Sequence, residues 1–418
     1  MSEWKILKID DIKANISNAI AMGPFGSRIK SDNFVDSGVP VIRGVNLKNG
    51  RFDESEFVFL TEEKAQELKS SLVYPDDIIF THRGTLGQVG IIPKNGKYKK
   101  YIISQSQMKL TCNKEIVEPL YVYYYFKSPK GQYELLKNTN STGVPAIASP
   151  STTLRSLEIP IPDLKTQKRI ISILSGLDDK IELNLKMNQT LEEMAMTLYK
   201  HWFVDFGPFQ DGEFVESELG MIPGGWKVSS LKEFANILMG QSPKSEFYNR
   251  ERKGLPFHQG VKDFGTRFPV HTVYCTQELR VANKGDILLS VRAPVGRINI
   301  ANSKLVIGRG LSALNSKSGH NSFLLYTLKR IFAFEDQYGS GTVFNSISKK
   351  DIEQLKFIRP PQEVLDNFEN HVSKFDALIE GNTKEIEELQ ELRDYLLPRL
   401  LSGEIDVSKA EKQVEEVL

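Results

Sequence analysis

The residues best suited to chemistry in this chain are arginines, lysines and amides set beside glycines and aromatics, and they occur in two sets. The first comprises Ser27, Arg28, Lys30, Arg43, His82, Arg83, Gln105, Gln107 and Lys109. The second comprises Gln241, Lys244, His258, Gln259, Lys262, Arg267, Arg292, Arg297 and Arg309. Arg and Gln can grip a base edge with two hydrogen bonds, while Lys and Ser mostly hold phosphates, so both sets are candidate nucleic-acid contacts. A single basic loop is usually just solvated; two sets in similar relative places carry more weight. Signatures of catalysis are missing from the sequence: there is no phosphate-binding GxxxxGK[ST], no HExxH, no GxSxG and no [ND]PP[FYW] box. Cys112 and Cys275 are too few and too isolated for a disulfide framework or a zinc site. His82 and His258 have no partner at ligand spacing, which favours polar contacts or core positions over metal binding. Gly23-Pro24-Phe25-Gly26 and Gly339-Ser340-Gly341 lack the spacing of a dinucleotide loop and predict tight turns.

Something must hold two such sets apart, and the chain contains a helical seam suited to it. Ile170, Leu174, Leu177, Ile181, Asn184, Asn188, Leu191, Ala195, Leu198 and Trp202 follow the 4,3 spacing of a coiled coil. The same spacing returns 198 residues later in Phe368, Val372, Phe375, Ile379, Asn382, Ile386, Leu389, Arg393, Leu396 and Leu400. Other segments repeat too: Trp4-Lys5-Ile6 matches Trp226-Lys227-Val228 at an offset of 222, and residues 75–80 match 284–289 at 209. Residues 103–110 match 307–314 at 204, and Gly143 matches Gly341 at 198. An offset that only falls is the mark of a duplicated domain that has lost residues from surface loops.

The expected architecture is α+β: two similar globular domains separated by an antiparallel coiled coil of two long helices, with an internal pseudo-two-fold repeat. Strands are predicted at 39–45, 78–81, 88–92 and 102–110, and helices at 62–70 and 119–136. The predicted boundaries are 1–162 for the first domain, 163–205 for the central helix, 206–222 for a Gly/Pro-rich acidic linker, 223–360 for the second domain, 361–403 for the C-terminal helix and 404–418 for a frayed tail. Each seam is a strut of about 48 Å at about 1.5 Å per residue. A short linker makes the antiparallel arrangement the easier one. Asn184 and Asn382 lie near the helix midpoints, where equivalent residues of such a pair meet, so they are predicted to bond to each other and fix register. Ile171, Leu185 and Tyr199 on one line, and Ile173, Met187 and Met194 on another, give the first helix extra apolar surface, a candidate partner-binding face.

The totals bound the rest. With 418 residues, 40% hydrophobic, 10% aromatic and 26% charged, the composition is that of a soluble globular protein of two or more domains. No run is long enough to span a bilayer, and a net charge of +1 neither demands nor excludes nucleic acid. The start of the chain lacks a signal-peptide core, which with two isolated cysteines points to a reducing cytoplasm.

Several stretches resemble the specificity subunits of type I restriction-modification enzymes over nearly the full length. They are Gly23-Pro24-Phe25-Gly26-Ser27, Pro40-Val41-Ile42-Arg43-Gly44 and Gly254-Leu255-Pro256-Phe257-His258-Gln259-Gly260. More specific are Pro160-Ile161-Pro162 through Gln167-Lys168-Arg169-Ile170, Trp202-Phe203-Val204-Asp205-Phe206, Gly220-Met221-Ile222-Pro223 through Gly225-Trp226, and Leu396-Leu397-Pro398-Arg399-Leu400-Leu401-Ser402-Gly403. The resemblance implies two target-recognition domains spaced by conserved helices, with no catalysis in this chain. It implies partners as well: double-stranded DNA, two modification (methyltransferase) subunits using S-adenosylmethionine, and restriction/translocase subunits using ATP and magnesium. It further implies a bipartite, asymmetric DNA target. Arg393 departs from the pattern, placing a charge in the second seam where the first has Ala195. Two rival readings are a protein scaffold that spaces two non-DNA binding domains and an enzyme with a degenerate site; DNA binding that weakens steeply with salt separates the first rival, and activity of the isolated chain the second.

Overall fold

The strand that runs through the middle of each repeat is buried on both faces, and this organises the fold. In the computed structural model, which describes residues 4–50, 52–140, 143–333 and 346–415, strand Ile78–Thr81 is buried at all four positions, as is Ile287–Ser290. Side chains alternate across a strand. Ile78 and Phe80 therefore enter the helix-lined core of the first repeat, while Ile79 enters a second small core with Ile42, Val73 and Tyr101. Ile287 and Leu289 divide from Leu288 in the same way.

Two units result. One comprises Met1–Asn184 with Lys384–Leu418, the other Leu185–Thr383. The first unit has an antiparallel sheet in the order Ile20–Met22, Gln107–Leu110, Ile78–Thr81, Val89–Ile91. Its second sheet runs Val58–Leu60, Val39–Ile42, Tyr101–Ile103, Leu72–Val73, with the central pair parallel. The second unit repeats both: Ala235–Met239, Leu311–Ser316, Ile287–Ser290, Ile298–Ile300 in one sheet, and Leu255–His258 parallel to Leu305–Ile307 in the other. The first strand after each leading Trp also has matching partners, Lys5–Lys8 with Glu158–Ile161 and Lys227–Ser230 with Lys356–Arg359. Every segment matched by sequence offset thus occupies the same place in its unit, apart from Gly341, which lies outside the described residues together with Gly339 and Ser340.

The long helices are Leu164–Phe203 and Gln362–Ser402. Asp163 accepts from Thr166 N at 3.0 Å to cap the first, and Gly403, at φ +74°, ends the second. In the first unit Lys180 meets Glu385 and Asp178 meets Arg393; in the second, Asn188 meets Asn382 and Phe203 meets Phe368. Numbers rise on one helix as they fall on the other, so the helices are antiparallel within each unit. The seam residues Ile170, Leu174, Leu177, Ile386, Leu389, Leu396 and Leu400 are buried in the first core, and Ala195, Phe368 and Val372 in the second.

Several expectations need correction. Asn184 Nδ2 donates to Glu385 Oε2 at 2.9 Å, and Asn382 Nδ2 to Asn188 Oδ1 at 2.9 Å, so each amide is committed to a different partner from the one predicted. The acidic seam neighbour Glu385 competes better for an amide than a second amide does. Arg393 is satisfied by Asp178 Oδ1 at 2.9 Å. The stretch 206–222 holds a short turn Gly207–Phe209 and a hairpin of Phe214–Ser217 with Gly220–Pro223, with Trp226 packed on Phe206 and Phe209. The tail holds a helix, Val407–Glu415, whose Val407, Ala410 and Val414 are buried in the first core. The helix predicted at 119–136 is two, Pro119–Lys127 and Pro129–Leu136, because Pro129 cannot continue the first. Likewise 102–110 is two strands, Tyr101–Ile103 and Gln107–Leu110, one in each sheet.

Candidate nucleic-acid interface

In each unit a short turn carries the chain from one sheet to the other, and four backbone hydrogen bonds fix the strand ends around that turn. In the first unit these are Gly23 N to Gln107 O (2.8 Å), Ser104 N to Ile42 O (3.0 Å), His82 N to Ser106 O (2.9 Å) and Ile147 N to His82 O (2.9 Å). The second unit makes the same four: Gly240 N to Leu311 O (2.9 Å), Gly308 N to His258 O (2.8 Å), Val291 N to Gly310 O (2.9 Å) and Ile347 N to Val291 O (3.1 Å). Glycine is needed where the chains cross. A Cβ on Gly23 would lie 1.9 Å from Ser104 O, and one on Gly240 2.1 Å from Gly308 O.

The knotted edge gathers most of the predicted contact residues. Arg43 follows Ile42, His82 and Arg83 follow Thr81, Gln105 sits within the Ser104–Ser106 turn and Gln107 follows it. Arg83 and Gln105 are exposed, and Arg28 and Lys30 stand exposed on the segment leaving Gly23. The Ser27 side chain lies outside the described residues. In the second unit Gln241, Gln259, Lys262, Arg292, Arg297 and Arg309 are exposed at the corresponding ends, with Lys244 on the segment leaving Gly240. There Ser242 Oγ donates to Gln259 Oε1 at 2.7 Å and accepts from Arg309 N at 3.1 Å, joining three loops. Ser242 escaped the sequence reading, although it sits next to Gln241.

Five predicted contacts are buried: His82 and Gln107 at the edge itself, and Lys109, Arg267 and His258, which turn inward to partners within the protein. Lys109 is buried; its Nζ donates to Leu72 O at 2.7 Å and lies 4.0 Å from Asp77 Oδ2. Burial lowers its pKa and raises that of Asp77, whose Oδ1 accepts from Thr111 at 2.5 Å. Arg267 is buried against the long helices, paired with Glu192 and Asp376. His258 is buried and has a partner that its sequence neighbourhood gave no sign of: its Nε2 lies 2.9 Å from His271 Nδ1, whose Nε2 is 3.2 Å from Ser303 Oγ. Burial first, and His271 second, push the His258 pKa down to about 4.

Buried side-chain atoms without a hydrogen-bond partner are informative, since each costs about 1–3 kcal/mol. In the first unit, all such atoms among the described residues belong to this one edge: Arg43 Nε, His82 Nε2 and Gln107 Nε2. Burial also lowers the His82 pKa, which keeps its ring neutral at neutral pH. An edge of this kind, with exposed basic and amide groups over unsatisfied polar atoms, is suited to hydrogen-bonding a polar, anionic ligand.

The predicted partner face of the first helix is split. Ile173 and Tyr199 are buried, Tyr199 bonding Thr327 Oγ1 at 3.1 Å, and Ile171 packs against the first core. These three are corrected to core positions, because each unit's own globular part covers them. Leu185, Met187 and Met194 remain 40–48% exposed. Among the described residues no helix is long and apolar enough to cross a membrane.

Comparison with known proteins supplies the context. A family model described as the type I restriction modification DNA specificity domain matches twice, at residues 1–193 and 223–391. A putative type I restriction enzyme specificity subunit of Methanocaldococcus jannaschii is 32% identical over 412 residues, covering 97% of this chain and 94% of that protein. The HindI specificity subunit of Haemophilus influenzae is 25% identical over 488 residues, covering 97% and 100%. The crystal structure of a type I restriction-modification S subunit from M. genitalium superposes with a TM-score of 0.59 at 17% identity, covering 96% of both chains, and so shares the fold. With a twofold family match that falls on the two structural repeats, and a relative matched from end to end, the chain belongs to the type I restriction-modification specificity subunit family.

Proposed function

We propose that this chain is the DNA-reading subunit of a type I restriction-modification complex, and that its two domains read two different short segments of one duplex separated by unread bases. The observation that carries this reading is the edge built twice on the same four backbone hydrogen bonds but furnished with different side chains. A shared scaffold gives both domains one way of approaching a duplex, and different side chains give them different sequences to read. Arg28, Lys30, Arg83, Lys244, Lys262, Arg292, Arg297 and Arg309 supply phosphate or base contacts; Gln105, Gln241 and Gln259 supply amides for base edges.

Leu185, Met187 and Met194 offer apolar surface for two modification subunits, which bring S-adenosylmethionine and the methyl transfer. Restriction/translocase subunits, with ATP and magnesium, complete the complex in the cytoplasm. This chain contributes recognition and spacing, and the covalent chemistry belongs to its partners.

The test is binding to duplex DNA across a salt series, together with strand-resolved mapping of methylated adenines in the source genome. The proposal expects log affinity to fall linearly with log salt, with a slope reflecting several phosphates, and methylation within a split, asymmetric target. Salt-independent or absent duplex binding would favour a protein scaffold instead.

A further inference from the structure

The duplication provides an internal control at the recognition edge. Thr81 pairs with Gln107 as Ser290 pairs with Leu311, so Gln107 corresponds to Leu311 and His82 to Val291. Ile42 pairs with Ile103 as His258 pairs with Ile307, so Arg43 corresponds to Gln259. In the second unit Val291 and Leu311 are buried and apolar, and Gln259 is bonded to Ser242. The same backbone knot therefore closes without a polar group at either buried position. Yet the first unit places Gln107 and His82 there, fully or almost fully buried, with Gln107 Nε2, His82 Nε2 and the neighbouring Arg43 Nε unpartnered.

Packing does not call for these polar groups, which points to a ligand. The Gln107 amide is oriented by its own oxygen, which accepts from Ser104 N at 3.2 Å, leaving the nitrogen as a donor. Arg43 Nε is also a donor, and its backbone N is anchored on Asn46 Oδ1 at 2.9 Å. Gln107 and Arg43, the latter through its neighbour Ile42, are both tied to Ser104, whose N bonds Ile42 O at 3.0 Å and Gln107 Oε1 at 3.2 Å, so each brings a donor to one strand junction. A pair of donors suits the N7 and O6 acceptors that guanine presents in the major groove, whereas adenine sets its N6 donor beside N7 and would oppose one of them. Building on the DNA-reading role proposed above, we infer that Arg43 and Gln107, with His82 beside them, select a guanine in the segment read by the first domain. The three atoms are shielded in the free chain, so the base edge meets them after the rim side chains rotate.

The test uses the full-length chain and a library of duplexes with randomised sequence. Wild type should select a two-part site with a guanine in one part. Gln107→Leu and Arg43→Gln, which install the second unit's own residues, should each lower the preference for that guanine at least tenfold and leave the other part unchanged; Gln259→Ala should alter only the other part. Gln107→Leu should unfold at a temperature no lower than wild type. A second arm needs no variant: replacing that guanine with 7-deazaguanine should weaken wild-type binding several-fold. An unchanged guanine preference in both variants, a loss in the wrong part, or indifference to 7-deazaguanine would overturn the inference while leaving the DNA-reading role intact. If wild type selects no sequence at all, the proposed function fails, and this inference fails with it.

Discussion

Replacing Arg267 with Met separates a structural arginine from a DNA-contacting one. The guanidinium is 7% exposed and pairs with Glu192 on one long helix and Asp376 on the other, whose side chains are 22% and 26% exposed. Removing one partner of a buried ion pair costs about 3–5 kcal/mol when the other charge is stranded. Here neither acid is stranded completely: Glu192 keeps Lys329 at 2.6 Å and Tyr326 Oη at 3.2 Å, and Asp376 keeps Ser322 Oγ at 2.7 Å. Met preserves the packing of the aliphatic stem. The expected loss is therefore about 2 kcal/mol. Urea unfolding followed by tryptophan fluorescence in a Trp4→Phe background reads it, because the remaining Trp202 and Trp226 both lie in the second unit. A second readout is Lys329, whose pKa is pushed down to about 8 by burial first and by the Arg267 charge second; it should rise in the variant. An unchanged unfolding midpoint, with duplex binding weakened and its salt slope reduced by about one phosphate, would refute the structural assignment and restore Arg267 to the DNA surface.

Gly23→Ala and Gly240→Ala should each disturb one recognition edge, since the new methyl meets backbone oxygen at 1.9 and 2.1 Å; footprinting should show loss of one part of the site at a time. His258 has its pKa lowered from 6.5 to about 4 in the folded chain, so the unfolded chain binds more protons between those values. Stability is then full above about pH 6.5 and falls by about 3 kcal/mol on acidification to about pH 4. His258→Ile, matching its counterpart Ile42, should flatten that part of a stability–pH curve. Ending the chain at Gly403 removes buried Val407, Ala410 and Val414 from the first core and should cost about 4 kcal/mol of that unit's stability, measured by denaturation of the truncated chain. The Arg169–Glu411 pair lost with them is partly exposed and adds little.

Much of this protein was legible in its sequence because the signals are periodic and local. A 4,3 seam can be read without knowing what it packs against, and a repeat at offset 198 marks two helices of matched length whatever lies between them. Strands such as Ile78–Thr81 announce themselves by composition, and so does their repetition as Ile287–Ser290. The exposure of the Arg, Lys and Gln residues at these strand ends was also within reach, since such residues beside Gly at strand ends are surface signals. The hairpin in 206–222 and the tail helix were missed: both hold together largely through contacts to Trp226 or to the first core, which their own short, mostly polar sequences do not display.

What the sequence alone determined, then, was the duplication, the pair of struts and the basic and amide residue types placed near the strand ends. Only the tertiary structure decided which polar residues face outward. Arg267 reaches an acid 109 residues away, and His258 finds His271 across a neighbouring strand connection. Lys109 alternates into a buried layer that Ala313 fills in the other unit. A charged side chain is written identically whether it meets solvent, a phosphate or a buried carboxylate; which of these it meets depends on what the fold brings within about 3 Å of it.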